Sequence, residues 1–291
     1  MVGSYLVEEF VPPKFQETEV AEPRFGDESK FFCVVFLMLP VGSWTKGGAQ
    51  YGSHFSNITH FSHWGASNSL LQMAAEQAKL HPTRDLFQFG VYTGGSMMAM
   101  AKKIPHFRRL WGFDSFQGVP EEDSSTELGH PTWRPGGWSP ADALRTYDVD
   151  VLMSRIRNRI NHTRVVLVPG FFNESLPKMD LRSVRPPLVV DVDCDLYISA
   201  RQALDWVFGS GLACPGMLVR YDDWFDSGDG GEALGFHPGS WKQIGEVRAH
   251  HEITQRYQLT WVRLVHNEFM LRSMAAGNYS RHCGESSPMI G

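Results

Sequence analysis

Five aspartates fall in two short runs, Asp191-Val192-Asp193-Cys194-Asp195 and Asp222-Asp223, each following an apolar stretch. In an extended chain alternate side chains face the same way, so Asp191, Asp193 and Asp195 can share a face. Carboxylates gathered at neighbouring strand ends repel one another. A hard divalent cation such as Mg2+ resolves that repulsion, because it takes oxygen ligands from a few carboxylates and fills its other positions with water and substrate. The expectation is therefore a divalent site, set against two helix caps and a turn as the plainer explanation. Cys194, between two of the aspartates, reads as a small residue packed beneath a strand end rather than as a nucleophile.

A second constellation precedes it. Gly90-Val91-Tyr92-Thr93-Gly94-Gly95-Ser96 joins an apolar run to a helical one. Glycines there let the backbone take unusual φ and approach a ligand closely. A turn that opens a helix also points N–H groups at an anion, which a carboxylate satisfies as well as a pyrophosphate. The spacing departs from G-x-G-x-x-G, because Tyr92 stands where the second glycine would be. Asp114 follows 24 residues after Gly90 and ends the next apolar run. A carboxylate there can accept both hydroxyls of a ribose, the alternative being a cap or turn aspartate.

These residues need a scaffold that brings strand ends together. Leu86–Val91, Arg109–Phe113, Val165–Val168, Leu188–Val192 and Met217–Tyr221 read as short, mostly apolar strands. Helical spacing covers Asn68–Leu80, Ser96–Ile104, Val149–Arg159 and Ser199–Phe208. Alternation of the two implies an α/β fold, a doubly wound, mostly parallel Rossmann-like sheet with right-handed crossovers. Leu259–Val262 and Glu268–Leu271 add an antiparallel C-terminal strand pair. In such a sheet ligands bind outside the carboxyl ends of the strands, where the glycines and aspartates stand.

Residues 1–66 read as an N-terminal arm and lid, 67–274 as the main domain and 275–291 as a flexible tail. The apolar run Phe31–Val41 is too short to span a bilayer, which takes about 20 residues, and it fits a buried strand, hydrophobic packing against the main domain, or a subunit contact in a homo-oligomer. A net charge of −5 speaks against a general nucleic-acid binder. Cys33, Cys194, Cys214 and Cys283 show no metal spacing, so free thiols in a reducing, cytoplasmic setting are expected. His60, His63, His237, His250 and His251 are candidates for proton transfer, although no spacing ties them together. Trp224, Phe225, Phe236 and Trp241 read equally as walls of an acceptor pocket or as core.

Taken in order, Phe87 to Ser96, Gly112-Phe113-Asp114-Ser115-Phe116-Gln117-Gly118-Val119-Pro120, Asp191 to Tyr197 and Tyr221-Asp222-Asp223-Trp224 resemble class I S-adenosylmethionine-dependent methyltransferases. The branch they resemble is that of the macrocin-type O-methyltransferases, which modify sugars and phenols, and the resemblance spans residues 80–270. It implies that S-adenosyl-L-methionine lies along Gln88, Gly90, Tyr92 and Ser96, with Asp114 and Ser115 at its ribose. It further implies a divalent metal, Mg2+, at Asp193, Asp222 and Asp223, and Asp193 or Asp195 as the base that takes the proton of a small-molecule acceptor. One position departs from the pattern. Where such proteins often carry Glu this chain has Gln88, an amide that can still accept a hydrogen bond from the cofactor's amino group. A nucleotide-dependent oxidoreductase would leave the aspartates unexplained. A binding protein that has lost catalysis would be harder to reconcile with complete carboxylates at 193, 222 and 223.

Overall fold

The computed structural model describes residues 68–123, 133–224, 245–265, 267–275 and 283. The chain divides into two units, Met1–His54 and Phe55–Gly291, and the described residues all belong to the second. The arm, the lid, the run Phe31–Val41, Cys33, His60, His63, His237, Phe225, Phe236 and Trp241 lie outside the described residues.

Seven strands form one sheet: β1 (Asp85–Phe89), β2 (Leu110–Asp114), β3 (Val165–Pro169), β4 (Pro187–Val192), β5 (Leu218–Tyr221), β6 (Thr260–Val265) and β7 (Glu268–Ser273). Their spatial order is β3-β2-β1-β4-β5-β7-β6. The first five run parallel, whereas β7 is antiparallel to both β5 and β6. Every residue of β1, β2, β4 and β5 is buried. That explains their mostly apolar texture, because a parallel sheet is covered on both faces. The strand order reverses between β1 and β4, so the switch point lies where the glycine loop and the first aspartate run leave the sheet.

Helices supply the two cover layers. α1 (Asn68–Leu80), α2 (Gly95–Lys103) and α4 (Val149–Ile160) press Leu70, Ala74, Met97, Met100 and Ile156 onto the side carrying Leu86, Leu110 and Leu218. Between them α3 (Pro140–Leu144) is a short helix capped by Ser139. On the opposite face, behind α5 (Phe172–Ser175), run α6 (Tyr197–Gly209) and α7 (Gly245–Tyr257). There Ala200, Ala203, Leu204 and Val207 meet Phe87, Phe89, Phe113 and Val190. Small residues on α6 leave room for the stacked Phe89 and Phe113 rings, whose centroids are 4.8 Å apart. Among the described residues no helix is long and apolar enough to cross a membrane.

One expectation is corrected. Cys214 and Cys283 form a disulfide, so they are not free thiols; Cys194 is free and buried. The two halves stand 69 residues apart with no framework spacing, which is why the sequence showed no sign of them. Disulfides form and persist in oxidising surroundings and are rare in the cytosol.

Candidate active site

The first half of the site is built around Asp114, the last residue of β2. Its Oδ2 accepts the N–H groups of Val91 (2.7 Å) and Tyr92 (2.9 Å), and its Oδ1 accepts that of Phe116 (2.6 Å). One carboxylate therefore clamps the loop after β1 to the loop after β2. Of about four acceptor sites on a carboxylate, three are occupied, so Asp114 has room for one further donor rather than for both hydroxyls of a ribose. Burial pushes its carboxyl above the ordinary range, and the three N–H groups pull it back. Ser115 donates its hydroxyl proton to Gly118 O (2.7 Å) and accepts from Gln117 N–H, which closes the second loop on itself.

Gly90 must be glycine for a reason the sequence does not display. Its φ is +88°, and a Cβ placed there would stand 1.6 Å from the carbonyl oxygen of Asp193. The cofactor-type loop and the aspartate run thus touch backbone to backbone at the switch point. Gln88, fully buried just below, donates its amide N–H to Gly90 O at 2.9 Å, and its Oε1 is buried with no hydrogen-bond partner among the described residues. Arg159 reaches in from α4 to donate to Thr93 Oγ1 at 2.7 Å. Tyr92, Phe116 and Asp195 all have left-handed backbones, with φ of 48°, 56° and 61°. Non-glycine residues held that way cost about 1–3 kcal/mol each, and they cluster at functional sites.

The second half lies at the ends of β4 and β5. Asp193 is near Ser96, whose hydroxyl stands 3.4 Å from its Oδ2. Burial raises the Asp193 carboxyl well above the usual range, reinforced by the charges of Asp222 and Asp191 and opposed by Arg220. Asp195 accepts the indole N–H of Trp133 at 2.7 Å. Asp223 is likewise raised well above its ordinary value, first by burial, then by the charges of Asp195 and Glu246 and by a hydrogen bond to Asp195. Asp222 pairs with Arg220 Nη2.

Glu246, on α7, is a site residue that sequence reading missed. Fully buried, it accepts the N–H of Cys194 at 3.2 Å and of Asp223 at 3.0 Å, and so ties together the backbones that follow β4 and β5. Burial, Asp222 and Asp195 push its carboxyl up, while the two N–H groups lower it. The signal was weak, because α7 carries Glu246, Arg248, His250 and His251 where an apolar stripe is expected.

Asp193, Asp195, Asp222 and Asp223 thus follow the ends of neighbouring strands, with Asp193 against the glycine loop at Gly90 and Ser96, while Asp191 lies within β4. The expected metal set of Asp193, Asp222 and Asp223 is all oxygen, which suits a hard cation. As they stand, those side chains are turned to Ser96, Arg220 and Asp195, and among the described residues no group of three or more His, Cys, Asp or Glu is arranged to hold a metal ion. His250 is not at the site: it is buried, with its Nδ1 2.9 Å from Tyr221 Oη and its ring against Trp224 and Phe269. Trp224 belongs to that same core, and His251 is exposed. Burial raises the Cys194 thiol well above its usual value, which makes it a poor nucleophile.

The family model described as Macrocin-O-methyltransferase (TylF) matches residues 69–234. Among solved structures, the O-methyltransferase NovP is similar at 20% identity, over 70% of this chain and 78% of that one, with a TM-score of 0.45. CalS11, a calicheamicin methyltransferase, is similar at 21% identity over 70% and 77%, with a TM-score of 0.48. An O-methyltransferase from Bacillus cereus in complex with SAH is 14% identical over 70% and 80%, with a TM-score of 0.40. No curated protein matches the chain.

Proposed function

From its membership of the macrocin-O-methyltransferase (TylF) family, whose model covers more than half of the 291 residues, we propose that this methyltransferase uses S-adenosyl-L-methionine to methylate a hydroxyl of a small molecule, a sugar or a phenol. The observation that carries the reading is the backbone contact at Gly90. It sets the loop held by Asp114 directly beside the carboxylates that follow β4.

A sulfonium methyl is already activated, so the protein's task is alignment and provision of a deprotonated acceptor. Gly90, Tyr92 and Ser96 would hold the cofactor's methionine end. The Oε1 of Gln88 at the base of that loop, without a hydrogen-bond partner among the described residues, suits a donor such as the cofactor's ammonium. The remaining acceptor site of Asp114, with Ser115, would take one ribose hydroxyl. At the other half, Asp193 takes the acceptor's proton, or Asp195 does where Asp193 is engaged as a ligand. A raised carboxyl pKa suits that role, because a base works best when its pKa lies near the working pH. The acceptor oxygen forms the new bond to the methyl carbon, the carbon–sulfur bond breaks, and its electron pair stays on sulfur to give S-adenosylhomocysteine.

The oxygen donor set fits Mg2+ in chemistry, with Asp193, Asp222 and Asp223 as the residues that would hold it. Such an ion would lower the pKa of the acceptor hydroxyl. Incubation with labelled S-adenosylmethionine and a panel of sugars and phenols, with and without Mg2+, tests the reading. Label on a hydroxyl oxygen supports it; no transfer under any condition, with no calorimetric binding of S-adenosylhomocysteine, would sink it.

A further inference from the structure

Just beneath the site, one level of the sheet carries a polar side chain on each of four strands. Gln88 pairs in register with Asp191, Asp191 with Arg220, and Arg220 with Glu268, so the row crosses four neighbouring strands. Gln88, Asp191 and Glu268 are fully buried, and Arg220 is 2% exposed. Arg220 is the cation of that row. Its Nη1 donates to Asp191 at 2.8 Å, and its Nη2 reaches up to Asp222, two residues on and on the same side of β5. Burial works against the guanidinium's charge, but Asp191, Asp222 and Asp193 outweigh it and hold its pKa above the ordinary value. A planar guanidinium can bridge two carboxylates in this way, whereas a lysine head presents one point charge.

We propose that Arg220 is a positioning residue that acts as a built-in counter-cation: it holds Asp222 from below and competes with a divalent ion for that carboxylate. The inference rests on the reading of Asp193, Asp222 and Asp223 as the divalent site. Its consequence is a site that takes up a divalent ion weakly, because binding must displace or share the guanidinium. Removing Arg220 alone would leave Asp191 buried without its partner and endanger the fold. The paired change Asp191→Asn with Arg220→Met removes one charge of each sign, so a change in affinity reads the release of Asp222 rather than a change in net charge.

The test is Mn2+ binding followed by electron paramagnetic resonance on the full chain, with calorimetric titration of S-adenosylhomocysteine run alongside. Releasing a carboxylate from a buried cation is expected to tighten Mn2+ binding by about tenfold or more in the paired variant. Asp222→Asn in the otherwise wild-type chain should abolish it. Arg220→Lys, which cannot bridge both carboxylates, should show a smaller gain in the same direction and serves if the paired variant does not fold. Unchanged or weaker Mn2+ binding in a folded variant overturns the proposal. Absence of Mn2+ binding in both wild type and variant, with S-adenosylhomocysteine still bound, overturns it together with the divalent site while leaving the cofactor reading intact. Loss of S-adenosylhomocysteine binding by the wild type strikes the methyl-transfer reading itself.

Discussion

Replacing Gly90 with alanine should damage fold and site together. The new Cβ would lie 1.6 Å from Asp193 O and must be separated to the ordinary contact distance of 3.4 Å or beyond. Both partners belong to backbone, so no side-chain rotation relieves the overlap. At φ +88° an L-residue also meets a left-handed penalty of roughly 1–2 kcal/mol. Moving Asp193 away breaks the bond from its N–H to Phe89 O, now 2.8 Å, which contributes about 1 kcal/mol. A loss of about 3 kcal/mol follows, or a fall in Tm of roughly 6–12 °C for a domain of this size. Misplacement of a site by even 1 Å can cost about 100-fold in rate, and a comparable loss is expected in turnover. Thermal denaturation and methyl-transfer assays read the two effects. Gly95→Ala is the control for Tm, since nothing lies within 4 Å of its added Cβ. A Gly90→Ala protein with wild-type Tm and turnover would refute the claim that the two halves meet there.

Glu246→Gln offers one acceptor where two N–H groups now find a carboxylate, and it should cost about 2 kcal/mol in urea denaturation; an unchanged midpoint would contradict the clamp. Burial lowers the His250 pKa to about 3 in the fold from 6.5. Below pH 6.5 the unfolded chain therefore binds a proton that the fold refuses, and stability falls as pH drops. Relative to His250→Gln, the wild type should lose about 2 kcal/mol between pH 7 and pH 5, and parallel urea-midpoint curves would show the histidine to be charged in the fold. Cys214–Cys283 closes a loop spanning β5, α7, β6 and β7. Its reduction, or Cys283→Ala, should remove about 4 kcal/mol on chain-entropy grounds for a separation of 69 residues, and equal Tm with and without reductant would count against that link.

Much of the sheet was legible because β1, β2 and β4 are short apolar runs bounded by glycine or aspartate, the pattern that burial on both faces imposes. α1 was legible in its spacing of Leu70, Leu71, Ala74 and Ala78. α7 was not, since its buried face is completed by Glu246 and His250, whose partners come from distant segments. Asp114 illustrates the same limit within the site. Its place after β2 could be read from spacing, whereas the three N–H groups it accepts depend on how two loops fold over it. Arg220 was hidden inside a strand that reads as apolar, and only strand register sets it beside Asp191. What a single sequence displays is periodicity and local chemistry; pairings across the sheet are a tertiary property.

The central claim is that the cofactor occupies the loops after β1 and β2, beside the carboxylates that follow β4 and β5. Amide hydrogen exchange with and without S-adenosylhomocysteine tests it most directly. Added protection is expected at Thr93–Ser96 and Ser115–Gly118, with none at the opposite strand-start end around Arg84–Leu86 and Arg185–Leu188. Protection at that opposite end, or no change anywhere at saturating S-adenosylhomocysteine, would contradict it.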